Sequence, residues 1–150
     1  MITGGSRFRA AYKTRATLVA AAFLSAALLS TPSHADEAAE GEAAAVLNHH
    51  LGAFAKGVDE LMLVYGEDSV IFSNVGTFRG PTEIRAFFDG FMISAPEGLW
   101  DAFKLNVTEV TDEVAYIAWE AKPWVPLGTD TLVVRDGKIA VQTYTAYSAE

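Results

Sequence analysis

Apolar residues recur every three or four positions after residue 45, which is the spacing of one buried helical face. The first such stripe consists of Leu47, Leu51, Phe54 and Val58. Gly57 marks the predicted end of this helix, and a short second helix is predicted over residues 59–65. Pro81 fits the first turn of a third helix, whose apolar face is Ile84, Phe87, Phe88, Phe91 and Met92.

The pattern then changes to that of strands. Residues 69–73 and 77–79 predict a strand pair ahead of the third helix. The last third of the chain predicts four longer strands, over residues 100–110, 114–122, 129–135 and 138–148. Asp136-Gly137 predicts a tight hairpin turn between the last two, because a type I′ turn requires positive φ at both central positions. The pattern indicates an α+β fold, with a curved antiparallel sheet wrapped around N-terminal helices.

A two-residue turn in this hairpin predicts which side chains share a face of the sheet. It pairs Val134 with Ile139, Leu132 with Val141, and Asp130 with Thr143. On the other face it pairs Val133 with Ala140, Thr131 with Gln142, and Thr129 with Tyr144. We expect the second, mixed face to line a cavity. The aliphatic face then needs another cover, and we expect a homodimer through Leu132, Val134, Ile139 and Val141.

The first 35 residues have the pattern of an export signal. A basic head of Arg7, Arg9, Lys13 and Arg15 precedes the apolar residues 16–29, and Ser33-His34-Ala35 supplies the small residues of a cleavage site. That apolar run of about 14 residues is shorter than the roughly 20 that span a bilayer. We therefore predict a signal peptide over residues 1–35, cleavage after Ala35, and a periplasmic or secreted protein with no membrane anchor.

Residues 36–45 are acidic and rich in alanine. Ala and Glu favour helix, but the segment has no large apolar side chain to bury, so we predict a flexible lead-in. The folded domain is then expected over residues 46–150.

Charge and composition exclude several functions. Lys and Arg number 11 against 19 Asp and Glu, for a net charge of −8, which argues against a nucleic-acid partner. The chain has no Cys, so disulfides, thiolate nucleophiles and lipid-modified cysteine are excluded. No His and carboxylate spacing matches a metal site. We predict neither a metal nor another cofactor.

Five segments carry a family resemblance: Lys56-Gly57-Val58-Asp59, residues 65–70, residues 78–88, the hairpin over 130–139, and residues 142–147. With the element order above, they make residues 46–148 resemble the SnoaL-like, ketosteroid-isomerase-related group of the nuclear transport factor 2-like superfamily. The resemblance implies a cone-shaped α+β barrel with an internal cavity. It does not imply one activity, because this fold hosts isomerases, hydratases, cyclases and proteins without chemistry.

The isomerases of this group use a tyrosine, an aspartate base and a protonated aspartic acid. Here His50, Ser73 and Thr131 occupy the corresponding positions. Asp130 lies one position from the acid, where a strand side chain is expected to point to the opposite face. The resemblance therefore does not carry the isomerase mechanism to this chain.

The residues expected around the cavity are His50, Phe54, Ser73, Phe88, Trp119, Thr131, Gln142 and Tyr144. Catalytic roles are left open for His50, which lies on the apolar stripe, and for Asp130. The sequence favours a binding protein for a small apolar or aromatic molecule. The alternative is an isomerase or hydratase that uses His50 as its acid–base residue.

Overall fold

The predicted helices and strands are present, with changed ends. The structure is a computed structural model that describes residues 34–148, so the predicted signal peptide lies outside the described residues except for its last two. The helices are α1 (His34–Ala53), α2 (Val58–Leu61), α3 (Gly80–Ser94) and α4 (Leu99–Ala102), with a 3-10 turn at Met62–Val64. The strands are β1 (Tyr65–Ser73), β2 (Gly76–Arg79), β3 (Phe103–Thr111), β4 (Val114–Ala121), β5 (Val125–Arg135) and β6 (Lys138–Tyr147).

The six strands form one sheet in the order β2-β1-β6-β5-β4-β3. Neighbours pair antiparallel, except β1 and β6, which are parallel. The sheet is curved but not closed, since β2 and β3 are opposite edges. This confirms the predicted α+β class. No helix within residues 34–148 is both long and apolar enough to cross a bilayer.

The helices cover one face of the sheet, and the core lies between them. Helix α1 packs against β3, β4 and β5, whereas α3 packs against β1 and β2. Buried side chains alternate with more exposed ones along most of β5, as expected for a half-covered sheet. On this inner face the buried side chains of the sheet include Ile71, Ala115, Ile117, Leu132, Val134 and Ile139.

Helix α1 starts earlier than the apolar stripe predicts. It begins at His34, so residues 36–45, predicted as a flexible lead-in, are instead part of a helix. The physical reason is that small side chains are sufficient for this part of the helix to contact the core, because Ala43 is completely buried there. Helix α4 replaces the predicted start of β3, and β5 begins at Val125, four residues earlier than predicted.

The last hairpin corrects the predicted register. Val134 does pair with Ile139, but a bulge at Ala140 leaves one extra residue in β6, so that Leu132 lies opposite Gln142 and Asp130 opposite Tyr144. A one-residue shift turns every later side chain to the other face. Gln142 and Tyr144 therefore share the inner face with Asp130.

This register also removes the predicted dimer surface. Leu132, Val134 and Ile139 are at most 2% exposed and belong to the core beneath the helices. They cannot contact a second subunit. Val141 lies on the outer face instead, paired with Val133 and Val70.

Candidate functional site

A cavity opens between the inner face of the sheet and helices α1, α3 and α4. Its volume is about 80 Å³, whereas one water molecule needs roughly 10–15 Å³ by the same measure. The cavity therefore holds on the order of six water-sized groups. Its walls are His50, Leu51, Phe54, Phe87, Phe88, Phe91, Leu99, Trp100, Phe103, Ile117, Trp119, Asp130, Gln142 and Tyr144.

The wall changes from apolar at the rim to polar at the floor. His50, Asp130 and Gln142 are at most 5% exposed and form the floor. The half-exposed rim is almost entirely aromatic, and Trp100, 38% exposed, is its most accessible member. A ligand that enters would therefore meet aromatic rings first and polar groups last.

The aromatic rings of the wall contact one another. Phe54, in the turn directly after α1, lies 4.9 Å from Trp100 on α4, measured between ring centroids, and 6.0 Å from Phe88 on α3 in an edge-to-face arrangement. Such pairs contribute about 0.5–1.5 kcal/mol each beyond the area they bury. The three helices are thus joined by rings that also shape the cavity.

The floor is a chain of hydrogen bonds across adjacent strands. Asp130 on β5 accepts from Trp119 Nε1 on β4 at 2.8 Å and from Gln142 Nε2 on β6 at 2.7 Å. Tyr65, at the start of β1, donates its hydroxyl proton to Gln142 Oε1 at 2.5 Å. The same hydroxyl lies 3.4 Å from His50 Nδ1 on α1.

Burial is the largest cause of the pKa shifts among these hydrogen-bonded residues. It raises the pKa of Asp130 to about 6, although the hydrogen bonds from Trp119 and Gln142 act in the opposite direction. It lowers the pKa of His50 to about 4, with a smaller contribution from His49. The pKa of Tyr65 is raised well above its usual value by burial and by the nearby carboxylate. At neutral pH the site therefore holds a carboxylate, a neutral imidazole and a neutral phenol.

Six of the eight predicted pocket residues lie on the wall of this cavity: His50, Phe54, Phe88, Trp119, Gln142 and Tyr144. Ser73 does not, because its hydroxyl closes the β1–β2 turn through Gly76 O and Val75 N. Thr131 does not either, since its neighbours Asp130 and Leu132 point inward and it faces the outer side. The expectation that Asp130 faces away from the cavity is thereby corrected.

Several wall residues were missed. Phe87 and Phe91 lie on the apolar face that the sequence predicts for α3, so that signal was available. Trp100 and Phe103 come from α4 and its junction with β3, where a single long strand was predicted. Tyr65 is not a wall residue but bonds to one, Gln142; it was expected at a helix end, and no sequence pattern indicates this bond. Among residues 34–148, no group of three His, Cys, Asp or Glu could hold a metal ion.

Comparison with solved structures identifies the fold. An "NTF-2 like protein of unknown function" from Burkholderia xenovorans LB400 is similar at a TM-score of 0.60 and 17% identity, covering 75% of this chain and 88% of that one. A proposed ketosteroid isomerase from Kribbella flavida DSM 17836 is similar at 0.56 and 13%, covering 73% and 81%. An LEH-like epoxide hydrolase of M. tuberculosis is similar at 0.54 and 16%, covering 71% and 84%.

These similarities confirm the nuclear transport factor 2-like fold that the sequence resembled. At identities of 18% or less they concern the fold and not the activity. No family model and no curated protein matches the sequence.

Proposed function

We propose that this protein binds a small apolar or aromatic molecule in the cavity without converting it. The observation that carries the proposal is a cavity with aromatic walls whose polar floor groups are bonded mainly to one another. Within the described residues, no buried side-chain nitrogen or oxygen lacks a hydrogen-bond partner. A floor of this kind is preorganised to orient a ligand.

The cavity volume sets the size of the ligand. Space for on the order of six water-sized groups matches a single substituted ring. A fused polycyclic molecule would need the rings of the rim to move apart. We therefore expect affinity to be greatest for monocyclic compounds.

The proposal can be tested by filling the cavity with a larger side chain at its rim. Leu51→Trp places a larger ring at a wall position, whereas Leu63→Trp makes the same change at a site that is 57% exposed and outside the cavity. Calorimetric titration with phenol and toluene should detect binding to the parent and to Leu63→Trp, and at least tenfold weaker binding to Leu51→Trp. Equal affinity in all three proteins would place the binding elsewhere.

A second function is favoured by Asp130. The sequence named His50 as the acid–base residue of the alternative enzyme, but a pKa of about 4 leaves His50 a weak base near neutral pH. Asp130, with a pKa of about 6, is better matched to proton abstraction. An isomerase-type activity would exchange the methyl protons of acetophenone for deuterium in D₂O, and Asp130→Asn would abolish the exchange. A binding protein leaves that exchange at the buffer rate.

We also propose that the protein is exported to the periplasm or secreted. The support is the sequence of residues 1–35, with its basic head, apolar run and small-residue cleavage site. Intact mass of the protein from the extracytoplasmic fraction should correspond to a chain beginning at Asp36. A mature species that retains Arg7 to Arg15 would contradict this.

A further inference from the structure

We infer that the cavity selects ligands that carry a hydrogen-bond donor, such as a phenol or an alcohol, because Asp130 fixes the direction of every hydrogen bond in the floor and leaves His50 Nε2 as an acceptor. This inference rests on the proposed binding function and specifies its ligand class. It follows from the order of donors and acceptors along the chain.

The direction of the hydrogen bonds is set first at Gln142. A carboxylate can only accept hydrogen bonds, so the amide group that faces Asp130 Oδ1 must be the donor, Nε2. The amide oxygen Oε1 is then turned toward Tyr65. An amide oxygen can only accept, so the Tyr65 hydroxyl must donate to it.

The same reasoning determines the tautomer of His50. Tyr65 has one hydroxyl proton, which Gln142 receives, so toward His50 Nδ1 its oxygen can only accept. Nδ1 therefore carries the hydrogen of the neutral imidazole, and Nε2 carries the lone pair.

His50 Nε2 remains available to a ligand. Among residues 34–148, no side chain or backbone group is hydrogen-bonded to it, yet no buried side-chain nitrogen in that range is unsatisfied. Nε2 must therefore reach open space, and His50 is a wall residue of the cavity.

Two donors of the other floor residues are already bonded within the floor. The indole N–H of Trp119 and one of the two amide N–H groups of Gln142 are bonded to Asp130. Tyr144 also lines the cavity, but its hydroxyl can donate or accept and so does not discriminate. A ligand with a hydrogen-bond donor can donate to the lone pair of His50 Nε2. A ligand that can only accept would place its own lone pair against that of Nε2 and form no hydrogen bond there.

The tautomer can be read without a ligand. Long-range ¹H–¹⁵N correlation spectra of the parent at pH 8, where Asp130 is ionised, should show His50 protonated at Nδ1. In Asp130→Asn the hydrogen bonds of the floor can reverse their direction. The introduced side-chain amide then donates to Gln142 Oε1, Gln142 donates to Tyr65, and Tyr65 donates to His50 Nδ1. His50 should then be protonated at Nε2. The exposed Asp89→Asn on α3 is the matched control and should retain the parent tautomer.

Phenol and benzonitrile test the ligand preference. Phenol can donate, whereas benzonitrile can only accept. One hydrogen bond is equivalent to about a three- to tenfold change in affinity, so the parent and Asp89→Asn should bind phenol at least threefold more tightly than benzonitrile. That ratio should fall severalfold in Asp130→Asn.

The outcomes separate the two proposals. Failure of the parent to bind any of the monocyclic compounds would overturn the binding function. Equal affinity of the parent for phenol and benzonitrile, or an Nε2-protonated His50 in the parent, would overturn the donor preference while leaving the binding function intact. If Asp130→Asn does not fold, both measurements on the parent still decide the question.

Discussion

Gly128 controls how closely the floor can pack. It lies opposite Trp119 in the β4–β5 pair, and a Cβ added at Gly128 would lie 2.3 Å from the indole ring. That separation is far below a normal carbon–carbon contact of about 3.5–4.0 Å. Trp119 can therefore reach Asp130 only because residue 128 has no side chain.

Gly128→Ala should displace the Trp119 ring and weaken its hydrogen bond to Asp130. We expect a loss of about 1–3 kcal/mol in the free energy of unfolding, as for other overpacked cores, measured by chemical denaturation. The control is Gly90→Ala in α3, where the added Cβ meets no atom within 4 Å. That change should stabilise the protein by roughly 0.5–1 kcal/mol, since alanine is favoured in a helix. A Gly128→Ala protein as stable as the parent would contradict the packing.

At the scale of single residues, the sequence could predict which types of residue line the site, but not the hydrogen bonds that join them. His50 and Phe54 follow from helical spacing, which depends on local backbone geometry. The inward orientation of Asp130 and its bond to Gln142 depend on a bulge in another strand. Ser73 was misplaced for a similar reason, because its hydroxyl bonds to the turn that follows it.

Among the elements, the β6 bulge has the greatest effect on the site. Without the extra residue at Ala140, Leu132 would pair with Val141, as the sequence predicted. Val141 would then share the inner face with Leu132, and Gln142, which the sequence placed on the cavity side, would face outward. Asp-Gly indicates the turn correctly, but nothing in the local pattern marks the bulge. The observed register is favoured by burial, since it places Gln142 where Asp130 and Tyr65 satisfy both ends of its amide.

Deletion of Ala140 tests this directly. The shortened hairpin would adopt the regular register, leaving the buried Asp130 without its Gln142 partner. We expect a loss of more than about 2 kcal/mol in unfolding free energy and no detectable phenol binding by calorimetry. Ala140→Gly, which keeps the residue count, should retain binding. A deletion variant that binds phenol like the parent would show that the bulge does not position the floor.

For the molecule as a whole, fold class and element order could be predicted because they follow from patterns repeated over many residues. The dimer surface could not be predicted, because it depended on the register of the last hairpin alone. Dimerisation stays a prediction, and the outer face around Val133 and Val141 is now the surface that we propose for it. Sedimentation velocity should show a dimer for the parent and a monomer for Val141→Glu, and a monomeric parent at micromolar concentration would contradict the proposal.

The pH dependence of folding should reveal two opposing buried groups. Between pH 4 and 6 the folded protein retains the Asp130 proton that the unfolded chain releases, so Asp130 makes stability fall as pH rises. Between pH 4 and 6.5 the unfolded chain binds a proton at His50 that the folded protein excludes, so His50 makes stability rise. Each slope approaches about 1.4 kcal/mol per pH unit, and the two largely cancel in the parent.

Single substitutions should separate these slopes. Relative to the parent, Asp130→Asn should gain stability as pH rises from 4.5 to 5.5, because only the His50 contribution remains. His50→Phe should lose stability over the same interval, because only the Asp130 contribution remains. Chemical denaturation at pH 4.5, 5.5 and 6.5 measures both differences, with Asp89→Asn as the exposed control. If neither difference changes with pH, the two groups do not titrate as buried partners, and the floor is more open to water than its 3% and 5% exposures imply.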